Sequence, residues 1–219
     1  IAVKVLEKWG LEPVLGQYLF TEQNQYAGAD LERTEDLQNM LDNSEIKAIL
    51  CARGGYGTGR IVDDLSFEKF TQCPKWLVGY SDITVLHSHI HHHFGIETIH
   101  GPMAINFSDE RVLGVLRDTL FGEPIVHEFE SSLLNREGES SGVLVGGNLS
   151  ILYSQRSTPS DIETAGKILF IEDLDEYLYH VDRMMMNLKR SGFLSDLSGL
   201  VVGGMTDMND NKVPFGKTV

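Results

Sequence analysis

This chain has few cysteines, no long apolar run and few basic residues, and each of these shortages excludes a class of protein. The 219 residues include only two cysteines, Cys51 and Cys73, which are too few for a disulfide framework. Both lie in or near apolar segments, so we expect buried free thiols in a reducing compartment. No apolar run approaches the roughly 18 residues of a membrane-spanning helix. Basic residues number 18 against 32 acidic ones, a net charge of −14, which argues against nucleic-acid binding.

The chain also lacks ordinary ends. It begins at Ile1 with neither an initiator methionine nor a signal peptide. An amphipathic helix over residues 1–9 opens the chain, and in an α/β protein we expect a strand before such a helix. The last residues, 212–219, contain no closing element. We therefore expect a protein that is truncated at both ends.

Apolar and amphipathic segments alternate along the first part of the chain. Strands are predicted near 12–15 and at 48–52, 76–78 and 98–100, and helices at 30–41, from 60 to 65, and at 82–93 and 111–121. This alternation predicts a parallel sheet with helices on its faces, where ligands bind at the carboxyl ends of the strands. The predicted fold class is α/β, with a Rossmann-like N-terminal unit and a smaller mixed α/β C-terminal unit.

A compositional break divides the two units. Gly122-Glu-Pro124 interrupts the pattern and opens a polar, partly acidic segment. Strands at 167–171 and 199–203 and a helix at 180–189 follow it. We predict an N-terminal α/β domain over 1–121 without its first strand, a linker over 122–141 and an incomplete C-terminal domain over 142–219.

Ser81 is the most informative residue. It lies in Leu77-Val-Gly-Tyr-Ser-Asp-Ile-Thr84, where an apolar strand meets a helical pattern at Gly79. A serine on such a sharp turn exposes its hydroxyl over a helix N-terminus, which is typical of a nucleophile that attacks a carbonyl. Ile83 replaces the second glycine of G-x-S-x-G, so an ordinary lipase or esterase is not indicated. Alternatively, Ser81 caps the helix.

A glycine turn, Arg53-Gly-Gly-Tyr-Gly-Thr-Gly59, follows the strand at 48–52. It matches neither nucleotide-binding fingerprint, because the order is not G-x-G-x-x-G and no Gly-Lys-Ser/Thr follows. Its backbone N–H groups could form an oxyanion hole together with the N–H of Asp82. The turn could equally be a tight connection, or an anion cradle in a small-molecule binding module.

Candidate acids and bases are harder to assign. Six histidines crowd one region: His87, His89, His91, His92, His93 and His100. His89 and His93 have the i, i+4 spacing of zinc ligands, but Ile90 replaces the glutamate of H-E-x-x-H. We expect core and surface roles and no metal, and none is an obvious general base. Glu172, at the end of the predicted strand 167–171, could orient an imidazole or be an exposed strand end.

Five motifs occur in an order that resembles the LD-carboxypeptidase family of serine peptidases, which includes the microcin-immunity peptidases. They are Ala52-Arg-Gly-Gly-Tyr-Gly, Gly79-Tyr-Ser-Asp-Ile-Thr, His100-Gly-Pro-Met, Gly146-Gly-Asn-Leu and Leu169-Phe-Ile-Glu-Asp, the last followed by Tyr179-His-Val-Asp-Arg-Met. The resemblance implies that Ser81 is the nucleophile and Glu172 the triad glutamate. It also implies oxyanion donors at Asp82 and at Gly54 and Gly55.

The triad histidine of this family lies in a Gly-His motif, which we expect beyond Val219. The resemblance further implies a cytoplasmic, homodimeric enzyme that needs no cofactor or metal. Its substrate would be a small peptide, a murein tetrapeptide whose terminal D-alanine is released during peptidoglycan recycling. Arg53 and Arg183 are available cations for its carboxylate. A microcin-type amide hydrolase and a non-catalytic binding module remain as alternatives.

Overall fold

Two three-stranded parallel sheets form the framework in the computed structural model, which describes residues 1–130 and 132–218. Within each sheet the strands lie side by side in chain order. The first sheet contains β1 (Ala48–Leu50), β2 (Trp76–Gly79) and β3 (Ile99–His100), and the second contains β4 (Leu144–Asn148), β5 (Ile168–Leu174) and β6 (Gly199–Thr206). The predicted α/β fold class is therefore confirmed.

Seven α-helices accompany the sheets in the described residues. They are α1 (Ala2–Lys8), α2 (Asp30–Asp42), α3 (Glu68–Gln72), α4 (Thr84–Phe94), α5 (Glu110–Leu120), α6 (Leu149–Ser154) and α7 (Leu178–Arg190). None of the helices in the described ranges has the length and apolarity that crossing a bilayer requires.

Each sheet has its own apolar core. The core beside the first sheet includes Leu77 of β2 and Leu86 and Ile90 of α4, all almost fully buried. The core beside the second sheet joins Leu169 of β5 to Met184 of α7. Burial of this apolar surface is the main favourable contribution to the stability of each unit.

Helix α4 connects the two units. Residues 82–90 are all buried, because the helix contacts β3 of the first sheet as well as β4 and α6 of the second. The Oγ1 atom of Thr84, which is 0% exposed, accepts a hydrogen bond of 3.1 Å from the backbone N–H of Asn148. The start of α4 is thus attached to the end of β4.

Three local predictions were wrong. Residues 12–15 form no strand, since Pro13 has no N–H to donate and Val14 and Leu15 remain more than half exposed. The predicted helix from 60 to 65 consists of two 3₁₀ turns, Thr58–Arg60 and Val62–Asp64. Strand β5 continues to Leu174, because Asp173 and Leu174 pair with β6 beyond the register shift.

The two cysteines differ from expectation in burial but not in redox state. Cys51 and Cys73 are free thiols, and both are half-buried rather than buried.

The described part of 122–141 contains no helix or strand, and nearly all of its residues are exposed. It remains a proposal that this segment is a linker between domains at 1–121 and 142–219.

We expect Thr84→Val to destabilise the protein by about 1–3 kcal/mol, because the buried N–H of Asn148 then loses its acceptor. The matched control is Thr119→Val on the exposed side of α5, where the hydroxyl donates to the carbonyl of Val115. That change should alter stability by less than about 0.5 kcal/mol. Urea unfolding followed by circular dichroism measures both, and equal effects would contradict a structural attachment at Thr84.

Candidate active site

Ser81 lies on a strained turn between β2 and α4. Its φ angle is 61°, a left-handed conformation that costs a non-glycine residue roughly 1–2 kcal/mol. A 3₁₀ turn, Ser81–Ile83, leads directly into α4. Neither the turn nor α4 has a side-chain cap hydrogen bond, so the interpretation of Ser81 as a helix cap is wrong.

The packing of Ile83 explains why the second glycine of the G-x-S-x-G pattern is missing. A Cβ atom added to Gly79 would lie 2.8 Å from Cγ1 of Ile83. The isoleucine therefore packs directly onto the last residue of β2, and the glycine that this turn needs lies before the serine instead of after it.

The glycine turn contacts the serine. A Cβ atom added to Gly54 would lie 3.1 Å from Cβ and 3.2 Å from Oγ of Ser81, so a side chain at residue 54 would crowd the hydroxyl. Gly55 follows with a φ of 133°. Arg53 is exposed, and its Nε donates to the carbonyl of Gly54 at 3.2 Å. The structure thus places the Gly54 backbone against the predicted nucleophile, with Gly55 and Arg53 as its neighbours along the chain.

Asp82 is buried beneath the same turn. One of its carboxylate oxygens accepts hydrogen bonds from the backbone N–H of Thr58 at 2.8 Å and from the Thr58 hydroxyl at 2.7 Å. Both residues are 6% exposed. Although Cys51 is half-buried as a residue, its thiol group is removed from solvent. That burial, together with the charge of Asp82, raises the pKa of the thiol to about 12, which makes it a poor nucleophile at neutral pH.

Three of the clustered histidines have hydrogen-bond partners within the protein, among them His91, whose Nε2 lies 3.1 Å from Nζ of Lys167. Nε2 of His87 donates to the carbonyl of Gly79 at 2.9 Å, so its Nδ1 accepts from the Thr98 hydroxyl at 2.8 Å. Burial lowers the pKa of His87 to about 4, which keeps it neutral. Nδ1 of His89 lies 3.0 Å from Oγ of Ser160. Among the described side chains, no group of three or more His, Cys, Asp or Glu residues could hold a metal ion.

Glu172 lies inside β5 and not at its end. Alternation along the strand buries Leu169, Ile171 and Asp173 on one face, and a register shift falls between Ile171 and Asp173. Phe170 and Glu172 point to the other face. The exposed fraction of the Glu172 side chain is 15%, so the alternative of an exposed strand end is wrong.

His100 meets Glu172 on that face. Its Nε2 lies 3.7 Å from Oε1 of Glu172, and its ring packs edge-on against Phe170 with 5.3 Å between centroids. Burial, reinforced by the charge of Asp173, raises the pKa of Glu172 to about 7. Burial also lowers the pKa of His100 to about 4. At neutral pH the histidine is uncharged, so the pair is not a full ion pair.

Asn148 connects Glu172 to the serine turn. It pairs with Glu172 across β4 and β5, and its N–H donates to Thr84, three residues after Ser81. Its side chain accepts from the N–H of Ile151 and donates to Asp173 at 2.9 Å. Glu172 is therefore positioned at the same junction of the two sheets as Ser81.

Arg183 is placed differently. It lies on the exposed side of α7, with its guanidinium 5.2 Å from the ring of Tyr179. The buried side of α7 packs against the face of β5 opposite to Glu172. The residue predicted as the triad histidine, beyond Val219, lies outside the described residues.

Sequence reasoning missed three residues: Thr58, His100 in its contact with Glu172, and Asn148. Each of the three lies in a motif that the sequence pattern identified, but its contact partner is 24 or more residues away along the chain.

An open cleft of about 380 Å³ lies beside the turn at Ser81, lined in part by Tyr80, Pro102, Ile105 and Asn106.

Family models match both units. Residues 1–101 match the model described as the LD-carboxypeptidase N-terminal domain, and residues 141–218 match the LD-carboxypeptidase C-terminal domain. The two matches cover both sheets, with residues 102–140 between them.

Comparison of the chain with individual proteins gives the same family. The chain is 44% identical over 208 residues to a probable murein peptide carboxypeptidase of Bacillus subtilis, covering 92% of this chain and 65% of that protein. It is 32% identical over 218 residues to the murein tetrapeptide carboxypeptidase of Pseudomonas aeruginosa, covering 94% and 67%. A crystal structure of muramoyltetrapeptide carboxypeptidase from Oxalobacter formigenes superposes with a TM-score of 0.87 at 30% identity, covering 99% and 74%. The chain thus spans about two thirds of the length of the two relatives.

We expect Glu172→Gln to change how stability depends on pH. Because the pKa of Glu172 is raised from 4.5 to about 7, the native state keeps a proton that the unfolded chain releases. This contribution to the free energy of unfolding is present below about pH 4.5 and is lost as the pH rises through about 7. The variant lacks it and should gain stability relative to the wild type over that range.

Urea unfolding at a series of pH values measures this difference. Glu123→Gln, at an exposed position, is the matched control and should run parallel to the wild type. A difference between Glu172→Gln and the wild type that stays constant with pH would contradict the raised pKa.

Proposed function

Because the chain belongs to the LD-carboxypeptidase family, we propose that it is a serine peptidase that releases the terminal D-alanine from a murein tetrapeptide. The observation that carries the proposal is the strained turn at Ser81, whose φ is 61° and whose side chain lies against Gly54. The names of the relatives from Bacillus subtilis and Pseudomonas aeruginosa support a murein peptide as the substrate.

Ser81 Oγ would attack the carbonyl carbon that precedes D-alanine. A histidine takes the hydroxyl proton and later delivers it to the departing amine of D-alanine, after which water hydrolyses the acyl-enzyme. The backbone N–H groups of Asp82 and of the Gly54-Gly55 turn would stabilise the oxyanion. Each such donor contributes about 2.7–4 kcal/mol to lowering the barrier.

Glu172 would orient that histidine. The carboxyl is desolvated, with a pKa of about 7, and a neighbouring imidazolium would favour its ionised form. The proton taken from Ser81 would therefore be stabilised on the histidine by a buried opposite charge. His100 contacts Glu172, but its pKa of about 4 makes it a weak base at neutral pH.

Substrate contacts are also part of the proposal. Arg53 is exposed on the turn that touches Ser81, so its guanidinium is suited to the terminal carboxylate of the peptide. We do not assign Arg183 to substrate binding, because α7 carries it on the side of β5 opposite to Glu172. The cleft beside Tyr80 would receive the rest of the peptide.

We place the enzyme in the cytoplasm as a homodimer, as the family resemblance implies. The site would require no cofactor or metal, because an activated serine and an oxyanion hole are sufficient for acyl transfer. The net charge of −14 makes a nucleic-acid partner unfavourable.

We expect Ser81→Ala in the full-length polypeptide to lower kcat on a murein tetrapeptide by more than about a thousandfold, because the nucleophile is lost. Ser88→Ala is the matched control: Ser88 is a buried serine of α4 whose hydroxyl has no hydrogen-bond partner within the described residues. Its activity should stay within about twofold of the wild type, since it touches no reacting group. Release of D-alanine measures both.

Retained turnover in Ser81→Ala would refute the assignment. A parallel assay on an acyl-sulfamoyl-adenylate tests the alternative of a microcin-type amide hydrolase, which predicts cleavage of that compound and not of the tetrapeptide. A non-catalytic binding module predicts no labelling of Ser81 by a fluorophosphonate.

Chelation should leave the activity unchanged. The nitrogens of His87 and Nδ1 of His89 are engaged within the protein, so binding a metal there would break existing hydrogen bonds. We expect the rate of D-alanine release after EDTA treatment and desalting to equal that of the untreated enzyme. Loss of activity that stoichiometric zinc restores would show a metal-dependent reaction instead.

A further inference from the structure

We propose that Thr58 and the carboxylate of Asp82 form a positioning contact that holds the Gly54-Gly55 turn against Ser81 and so sets the geometry of the oxyanion donors. The inference rests on the proposed function and deepens it. Thr58 would be a positioning residue, which acts on the reaction through the turn and touches no reacting atom.

The contact is short, doubled and buried. The N–H and the hydroxyl of Thr58 both donate to the same oxygen of Asp82, at 2.8 and 2.7 Å. Both residues are 6% exposed. Hydrogen bonds to a carboxylate are stronger than those between neutral groups, and low solvent exposure strengthens them further.

The position of the contact gives it a consequence for the site. Asp82 immediately follows Ser81 and would supply one oxyanion donor through its own N–H. Thr58 lies four residues after Gly54, in the turn that would supply the other. One carboxylate therefore joins the segment of one donor to the segment of the other.

A second attachment of this turn is weaker. Arg60 Nε donates to the carboxylate of Asp30 at the start of α2, at 2.9 and 3.0 Å. Their side chains are 48% and 37% exposed, so solvent screens this ion pair and it restrains the turn only weakly. Before Gly54, the chain is held by the N–H of Ile105, which donates to the carbonyl of Ala52 at 3.1 Å. After Gly55, the buried contact at Thr58 is the stronger of the two side-chain attachments and therefore the one that restrains this end of the turn.

Small displacements of the turn matter for chemistry. An oxyanion donor must lie about 2.7–3.1 Å from the position of the developing charge, and loss of one donor costs roughly 10²–10³ in kcat. A turn that is displaced but still formed should lose only part of this factor in kcat. Ground-state binding of the peptide should change little, since the donors act mainly in the transition state.

The experiment compares Thr58→Val, which removes the hydroxyl at nearly constant shape, with Thr58→Ser, which restores it. In the full-length polypeptide we expect kcat for the murein tetrapeptide to fall about ten- to a hundredfold in the valine variant, with KM within about twofold. The serine variant should recover most of the loss. Asp82→Asn, which keeps the shape but removes the charge, should give a smaller loss of kcat.

Thr164→Val is the matched control. Thr164 is 5% exposed, and its hydroxyl donates to the carbonyl of Phe193 in the second unit. This variant should lose thermal stability as Thr58→Val does but keep the kcat of the wild type. Equal loss of kcat in the two valine variants would overturn the proposal, as would an unchanged kcat in folded Thr58→Val. If Thr58→Val does not fold, an unchanged kcat in Asp82→Asn overturns it.

A second measurement separates this inference from the proposed function. The rate at which a fluorophosphonate labels Ser81 depends on the oxyanion donors but not on the peptide. If the wild type is labelled but does not cleave the tetrapeptide, the proposed substrate fails, and slower labelling of Thr58→Val still supports the positioning role. Equal labelling rates overturn the positioning role alone, and a wild type that is not labelled overturns both.

Discussion

The buried start of α4 is the constraint on which the rest of the structure depends. Residues 82–90 are enclosed because the helix packs between two sheets. The 3₁₀ turn before α4 and the first residue of α4 therefore have to satisfy their polar groups within the protein: Asp82 with Thr58, and Thr84 with Asn148. These contacts position the glycine turn on one side of Ser81 and the strand that carries Glu172 on the other. The strain at Ser81 is tolerated because the surrounding contacts fix the turn.

Burial also decides the electrostatics of the site. Glu172, His87 and His100 are removed from water without a strong opposite charge beside them, so their pKa values shift toward the neutral forms. The histidine pKa values of about 4 suit structural roles, since an uncharged imidazole can donate from one nitrogen and accept at the other. The pKa of about 7 at Glu172 suits a carboxyl whose negative charge is stabilised only when a cation forms beside it.

Local patterns predicted much of the fold. The alternation of apolar strands and amphipathic helices gave the parallel α/β class, because strand periodicity and helix periodicity are properties of short segments. Prediction failed where the outcome depended on neighbours. Residues 12–15 have strand-like composition but no strand partner, and β5 continues past Ile171 because Asp173 and Leu174 pair with β6.

The sequence by itself determined the turn at Ser81, since Gly79 and Ile83 lie within four residues of one another and their packing is local. It also determined that a glycine turn with backbone N–H donors and a carboxylate at Glu172 are available. Only the tertiary structure decided which groups meet: Thr58 with Asp82, Asn148 with Thr84, and His100 with Glu172. Each pair is separated by 24 or more residues. Contacts of that kind arise from packing of whole helices and sheets, and no local pattern encodes the distance between two side chains.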